Sequence, residues 1–309
     1  MRHKKGENKI EEKQYKVWIS LIKNLGIKRY EKLIQEFGSK ENLWNAEKEQ
    51  LQRIQGIGEK LAEIISNETL KKDVKRHLEY MEKNNIDIIA IEDNRYPNLL
   101  KEIYNPPLTL YIRGNKEILD KANIAIVGCR EATEYGKKVA YDFAYNLSKQ
   151  GFSIVSGLAK GIDSYAHLGV VNANQKTIAV LGNGLDTIYP KENTKLAQSV
   201  LNSNGAIISE YPLGTKPDKN NFPARNRIIS GISNGVLVVE AKEKSGTLIT
   251  VDFALEQGRD VFAVPGNINS ENSYGTNDLI KQGAKLVTSW KECIDVIYNP
   301  NLHNYKKRS

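Results

Sequence analysis

Between Gln14 and about Tyr80, apolar residues recur at three- and four-residue spacing and no β-rich run intervenes, which predicts a small all-helical unit. Within it, LQRIQGIGEKLAEII places a Gly-Ile-Gly turn, Gly56 to Gly58, between two short helical stretches, the pattern of a helix-hairpin-helix. The upstream stretch LIKNLGIKRYEKLIQEFGS looks like a degenerate second copy. Such turns offer backbone N–H groups to a phosphate without reading sequence. They are equally the tight connections of a small packed bundle, and both readings stay open here.

The pattern changes after Asn85. Residues 85–114 hold two short β-rich runs separated by Pro-marked turns, expected to join the sheet that follows. From Asn123 onward the apolar runs NIAIV, FSIVS, TIAVL, AIISE, GVLVVE, DVFAVP and KLVTS alternate with amphipathic segments, each long enough for a helix. That alternation predicts an α/β fold with a doubly wound, mostly parallel sheet covered by helices on both faces. Ligands of such sheets gather beyond the carboxyl ends of the strands. Those ends carry Gly128-Cys129-Arg130, Ser156-Gly157, Gly182-Asn183-Gly184, the segment from Gly214 to Arg227, and Pro265-Gly266.

Composition narrows the class. The 309 residues suit about two domains. Cys129 and Cys293 have no pairable spacing, and the four histidines are scattered, so a reducing compartment and a chain without metal or cofactor are expected. The N-terminal MRHKKGENKIEEK lacks the apolar core of a signal peptide, and no apolar run approaches the roughly 20 residues of a membrane span. A soluble cytoplasmic protein is the expectation. The net charge of +8 admits an acidic partner without requiring one. Its location is more telling: Gly214 to Ser230 carries Lys216, Lys219, Arg225 and Arg227 against Asp218 alone.

The stretch from Phe222 to Thr250 holds the most chemistry. Phe222 sits beside Arg225, Asn226 and Arg227; an apolar run, Val236 to Val239, follows, and then Ser245-Gly246-Thr247 opens a helix. A Gly-containing turn at a helix start presents free N–H groups and the positive end of the helix dipole to an anion. An aromatic beside arginines suits a ligand with both a flat ring and a phosphate, as in a single-stranded nucleic acid. A core Phe beside a solvated basic helix fits the same residues. At the first strand end, Gly128 allows a sharp turn and Arg130 projects a bidentate phosphate donor, ahead of a helix beginning near Glu134. At the second, Ser156-Gly157 leads to Lys160 in the same arrangement. Each taken alone is a solvated loop charge; together they predict a shared anion site.

Rival chemistries lack their residues. LGNGLDTIYP has Gly-x-Gly without the third glycine of a dinucleotide fingerprint, and no Walker motif occurs. Asp163 and His167, four apart on a predicted helix, read as a helix-face pair, while Glu210 and Glu240 read as capping or loop-anchoring groups. No serine or cysteine nucleophile comes with an evident base. A binding crevice is expected, not an enzyme.

As a set, VGCREATEYG (Val127 to Gly136), SGLAKGIDSYAH (Ser156 to His167), AVLGNGLDTIYP (Ala179 to Pro190), SEYPLG (Ser209 to Gly214), NFPARNRIISGISNGVLVVEA (Asn221 to Ala241), SGTLIT (Ser245 to Thr250) and EQGRDVFAVPG (Glu256 to Gly266) resemble the DNA-processing protein A family, also called DprA or Smf. The resemblance implies an extended Rossmann-like domain over residues 83–300, preceded by a SAM-like or helix-hairpin-helix unit over residues 1–82 and followed by a polar tail at 301–309. It implies single-stranded DNA binding, a homodimer, and loading of the recombinase RecA onto incoming strands in natural transformation. Carried over by position, Arg130 and Lys160 look like strand-phosphate ligands, Phe222 like a base-contacting aromatic, and Arg225 and Arg227 like further backbone contacts joined by Lys219. Gly128, Ser156, Gly157, Asn226, Ser245, Gly246 and Thr247 complete the expected site. Dimer and RecA contacts are implied around Val261 to Val287. Cys129 stands where many relatives have Ser, which leaves that phosphate contact to the backbone. Many relatives also have a C-terminal winged helix, and none is expected in the short stretch before Ser309. Nucleotide phosphoribohydrolases of the lysine-decarboxylase-like group resemble the chain less: Lys244 and Ser245 replace their glycine-rich stretch, and Thr250 stands in place of the catalytic Glu. A free-nucleotide sensor using the same crevice is the third reading.

Overall fold

A computed structural model describes residues 2–298, with side chains from residue 12 onward. The tail expected at 301–309 lies outside the described residues. The helical period yields α1 (Arg2–Leu21), α2 (Ile27–Phe37), α3 (Lys40–Trp44), α4 (Lys48–Gln52), α5 (Glu59–Ile65) and α6 (Glu68–Lys83). Helix starts carry suitable caps: the Asn67 side chain accepts the N–H groups of Thr69 and Leu70 at 2.8 and 3.1 Å, and Ser39 accepts that of Asn42. The two hairpin copies share one backbone course. Asn24 (φ 62°) and Gly56 (φ 93°) each stand two residues ahead of a glycine, Gly26 or Gly58, that opens the next helix.

The remaining chain runs β1 (Ile86–Ala90), α7 (Asn98–Lys101), β2 (Thr109–Gly114), β3 (Asn123–Val127), α8 (Glu134–Lys149), β4 (Ser153–Ser156), α9 (Ile162–Asn172), β5 (Thr177–Val180), α10 (Thr194–Asn202) and β6 (Ala206–Ser209). It continues through α11 (Asn221–Gly231), β7 (Gly235–Val238), α12 (Gly246–Glu256), β8 (Asp260–Ala263), α13 (Glu271–Lys281), β9 (Lys285–Leu286) and α14 (Trp290–Tyr298). These strands form one nine-stranded sheet in the order β1-β2-β6-β5-β4-β3-β7-β8-β9. Strands β3 to β9 are parallel, with Ala125 opposite Val236 and Ala179 opposite Ile207. The early β-rich pair joins antiparallel at one edge, with Ile112 opposite Ile208. The fold is therefore the α/β, Rossmann-like arrangement that the alternation predicts, with a helical unit at its N-terminus.

Strands β3 to β7 are buried along their whole length, which is why they read as unbroken apolar runs. On one face Phe143, Leu147, Ile154 and Phe262 form a core with Cys293. On the other, a second core runs from Trp18 and Leu33 of the helical unit through Tyr111 and Ile207 to Val236 and Val251. Polar contacts follow the same seam: Ser20 Oγ lies 2.6 Å from Tyr111 Oη, and Lys16 Nζ lies 2.8 Å from Asp93. Among the described residues no helix is long and apolar enough to cross a membrane.

The sheet order positions the site. From β3 the chain steps outward through β4, β5 and β6, then returns to lay β7, β8 and β9 on the other side. Loops leaving β3 and β7 diverge at this reversal and open a crevice beyond the strand ends.

Candidate functional site

That crevice has a volume of about 790 Å³. Its first wall is the β3–α8 loop, Gly128 to Glu131; its second is the β7–α12 loop with Lys242, Lys244 and Ser245 to Thr247; α11 closes it with Phe222, Arg225 and Asn226. Lys219 and Tyr189 stand at its rim.

The first wall is held from behind. Glu240, buried just past β7, accepts from Thr133 N (2.9 Å) and Thr133 Oγ1 (2.5 Å), while its carbonyl accepts from Cys129 N at 2.9 Å. Glu240 thus anchors the loop, as its position at a strand end suggests, and places a carboxylate at the positive end of α8. The Cys129 N–H is thereby engaged, which leaves a phosphate contact from the backbone to the other N–H groups of this loop. Burial pushes the Cys129 thiol up, away from a reactive thiolate. Gly128 has no positive φ; a Cβ there would sit 2.5 Å from Ile162 and 2.9 Å from the Glu240 carbonyl. Close approach, rather than a sharp turn, requires glycine at this position.

The floor is built by Arg225, which is 5% exposed. Its Nη1 donates to the carbonyls of Gly157 (2.8 Å) and Val180. Asp163, equally buried, accepts from the N–H groups of Gly157 (3.1 Å) and Ala159 (3.3 Å). Burial pushes the Arg225 guanidinium down to about 10, with the charge of Asp163 opposing that fall, so it remains a cation at neutral pH. Burial also raises the Asp163 carboxyl, against the pull of Arg225 and the backbone donors. Gly157 makes room for this group: a Cβ there would lie 2.6 Å from the guanidinium.

Of the residues expected in the site, Gly128, Arg130, Lys219, Phe222, Arg225, Asn226, Ser245, Gly246 and Thr247 line one crevice. The rest do not. Ser156 is wholly buried, its hydroxyl donating to Ile126 O at 2.7 Å. Gly157 lies beneath the floor. Lys160 is exposed beside the crevice, 2.6 Å from Glu192. Arg227 projects from the back of α11, where both Nη atoms meet the Glu210 carboxylate at 2.6 Å and Nε donates to Asn105 O. Arg225 Nη1 is thus engaged in the floor while its side chain still lines the crevice, and Arg227 is engaged in an ion pair behind it, outside the crevice lining. At the second wall, Ser245 caps α12 by accepting from Thr247 N at 3.2 Å, and Gly246 faces open space.

Three crevice residues escape the reading of the sequence. Lys242 and Lys244 flank the turn before Ser245, in AKEKSGT, and their charge alternating with Glu243 is the signal that was available. Lys242 lies 3.7 Å from Glu131 and 3.8 Å from Glu271; Arg130, Lys219 and Lys244 make no ion pair among the described residues. Tyr189 stacks on Phe222 with ring centroids 5.5 Å apart and planes inclined by 28°. The Arg130 guanidinium lies over the same Phe222 ring at 5.8 Å. Rings and cations converge, while no cluster of His, Cys, Asp or Glu able to hold a metal occurs among the described residues. Thr250, in the place of a glycosidase-like Glu, is buried. The arrangement presents cations and flat rings on one crevice.

His167, on α9, is the other buried titratable group near the floor. Its Nδ1 lies 2.7 Å from Thr177 Oγ1, which donates to Ile154 O, so Nδ1 carries the proton and Nε2 is left without a partner. Burial, with Arg225 adding to it, depresses the imidazole from 6.5 to about 3. The unfolded chain therefore takes up a proton below pH 6.5 that the folded chain refuses, and stability present above that value falls with pH. The expected loss between pH 7 and 5 is about 2 kcal/mol. Asp163, raised in the folded chain, acts in the opposite sense, so the measurement compares urea unfolding of the wild type with His167→Gln at both pH values. An equal pH dependence in the two proteins would remove His167 as the source.

The model of the DNA recombination-mediator protein A family matches residues 87–298. Protein Smf of Synechocystis sp. is 40% identical over 282 residues, covering 90% of this chain and 71% of the relative. Among solved structures, DNA processing protein A from Streptococcus pneumoniae superimposes with a TM-score of 0.67 at 36% identity, covering 88% of this chain and 96% of that one. DNA processing protein A from Helicobacter pylori, whose structure was described for its mode of binding single-stranded DNA, gives 0.62 at 34% identity, covering 71% and 97%.

Proposed function

The chain belongs to the DNA recombination-mediator protein A family, and on that premise we propose that it binds single-stranded DNA in the β3/β7 crevice and passes the strand to a RecA-type recombinase during uptake of DNA by the cell. The observation that carries this reading is the convergence of Arg130, Lys219 and Lys244 with the stacked Tyr189 and Phe222 on one crevice. Cations that follow a phosphate backbone, beside rings that accept any base, suit sequence-tolerant single-strand binding. Residues 1–82 then act as a helical unit beside a DNA-binding domain over residues 83–300. The action is non-enzymatic and cytoplasmic, without a cofactor. Self-association uses the late part of the sheet domain, where β9 is an edge strand and Leu286 is exposed.

Fluorescence anisotropy of a labelled oligo-dT tests the reading. Binding is expected to be salt-sensitive and to survive excess duplex competitor, and the protein is expected to accelerate RecA filament formation on the same strand. Equal competition by duplex, or no binding, would overturn it. Nucleoside monophosphates incubated with the protein are expected to release free base no faster than without it.

A further inference from the structure

We infer that Tyr189, rather than Phe222, is the ring on which a nucleobase of the bound strand stacks, Phe222 serving as the plate that supports it; this rests on the single-strand reading above and assigns a residue within it. Phe222 is half-buried and already surrounded. Gly182 packs against its edge so closely that a Cβ there would lie 2.9 Å from the ring. Arg130 covers it at 5.8 Å, and Tyr189 stacks on it at 5.5 Å. A base adds to a stack at its open member, and that member is Tyr189, which lines the crevice and is 45% exposed.

The Tyr189 hydroxyl makes no hydrogen bond among the described residues, so nothing holds this side chain in place by its polar end. The loop beneath it is fixed instead: Asn183 Nδ2 donates to the carbonyls of Gly184 (2.9 Å) and Thr187 (2.7 Å). A ring presented from a preorganised loop loses little freedom when a base lands on it. With Arg130 and Lys219 at the same rim, the base of one nucleotide meets Tyr189 while its phosphates meet the cations.

The test compares oligo-dT with an oligomer of equal length whose central residues are abasic, using wild type, Tyr189→Phe, Tyr189→Leu and Phe222→Leu. Wild type and Tyr189→Phe are expected to prefer the intact strand by about tenfold. Tyr189→Leu is expected to lose that preference while keeping the wild-type salt dependence and far-UV spectrum. A tenfold preference retained by Tyr189→Leu, or lost only in Phe222→Leu, would overturn the assignment. Wild type that binds neither oligomer would instead overturn the single-strand reading on which it stands.

Discussion

Replacing Arg225 by Met is expected to destabilise the fold by about 2–4 kcal/mol, the cost of leaving two buried carbonyls without their donor. The substitution keeps much of the side-chain volume but takes the donor from the Gly157 and Val180 carbonyls and removes the nearby positive charge that opposes the rise of the buried Asp163 carboxyl. Two carbonyls are then stranded beneath the crevice. Guanidinium unfolding, followed by far-UV circular dichroism, is expected to show a lowered midpoint with an unchanged slope. The double variant Arg225→Met, Asp163→Asn is expected to recover part of the loss, because the buried acidic group is gone. A single variant within about 1 kcal/mol of wild type would mean that Arg225 is free to serve a ligand after all.

The second large effect concerns binding. Arg130, Lys219 and Lys244 line the crevice without an ion pair among the described residues, and Lys242 adds a cation already shared between Glu131 and Glu271. At about −0.7 in log affinity against log salt per phosphate neutralised on a single strand, four such contacts give a slope near −3. The triple variant Arg130→Ala, Lys219→Ala, Lys244→Ala is expected to retain a slope near −1 and to bind about a hundredfold more weakly at 0.1 M salt. Anisotropy titrations at several salt concentrations measure both. Arg227→Gln is the contrast: it breaks the Glu210 ion pair behind α11 and is expected to leave the slope alone. A reduced slope in that variant, or an unchanged one in the triple variant, would place the strand on a different face.

The strands were legible because burial on both faces leaves no choice of residue: NIAIV and GVLVVE are apolar wherever they sit in the sheet. The hairpin repeat was legible for a related reason, since left-handed backbone restricts the residues at the turn, and Asn24 and Gly56 meet that demand in both copies. Side-chain destinations were not legible. Arg225 and Arg227 are two residues apart, which on a helix is about 200° around the axis. One arginine must face the crevice floor if the other faces away, and a run reading RNR is silent about which, or about the partners waiting at either end. Glu210, which meets Arg227, and the Gly157 and Val180 carbonyls, which meet Arg225, come from other strand ends and are brought there only by the fold. Lys160 is likewise recognisable as a charge at a strand end, yet its partner Glu192 comes from a different loop. Tyr189 carried no signal, because its value comes from a loop folding back on α11.

The core shared by the helical unit and the sheet bears on how the molecule meets its surroundings. Domains joined through small polar seams rotate against one another, whereas large apolar seams hold them still. Here Trp18, Leu33 and Tyr111 belong to one apolar cluster, so a hinge between the units would open that cluster to water. The hairpin turns at Gly26 and Gly58 consequently keep a constant offset and orientation from the crevice, as two fittings on one casting. A partner large enough to touch both must match the spacing that this shared cluster sets among the described residues.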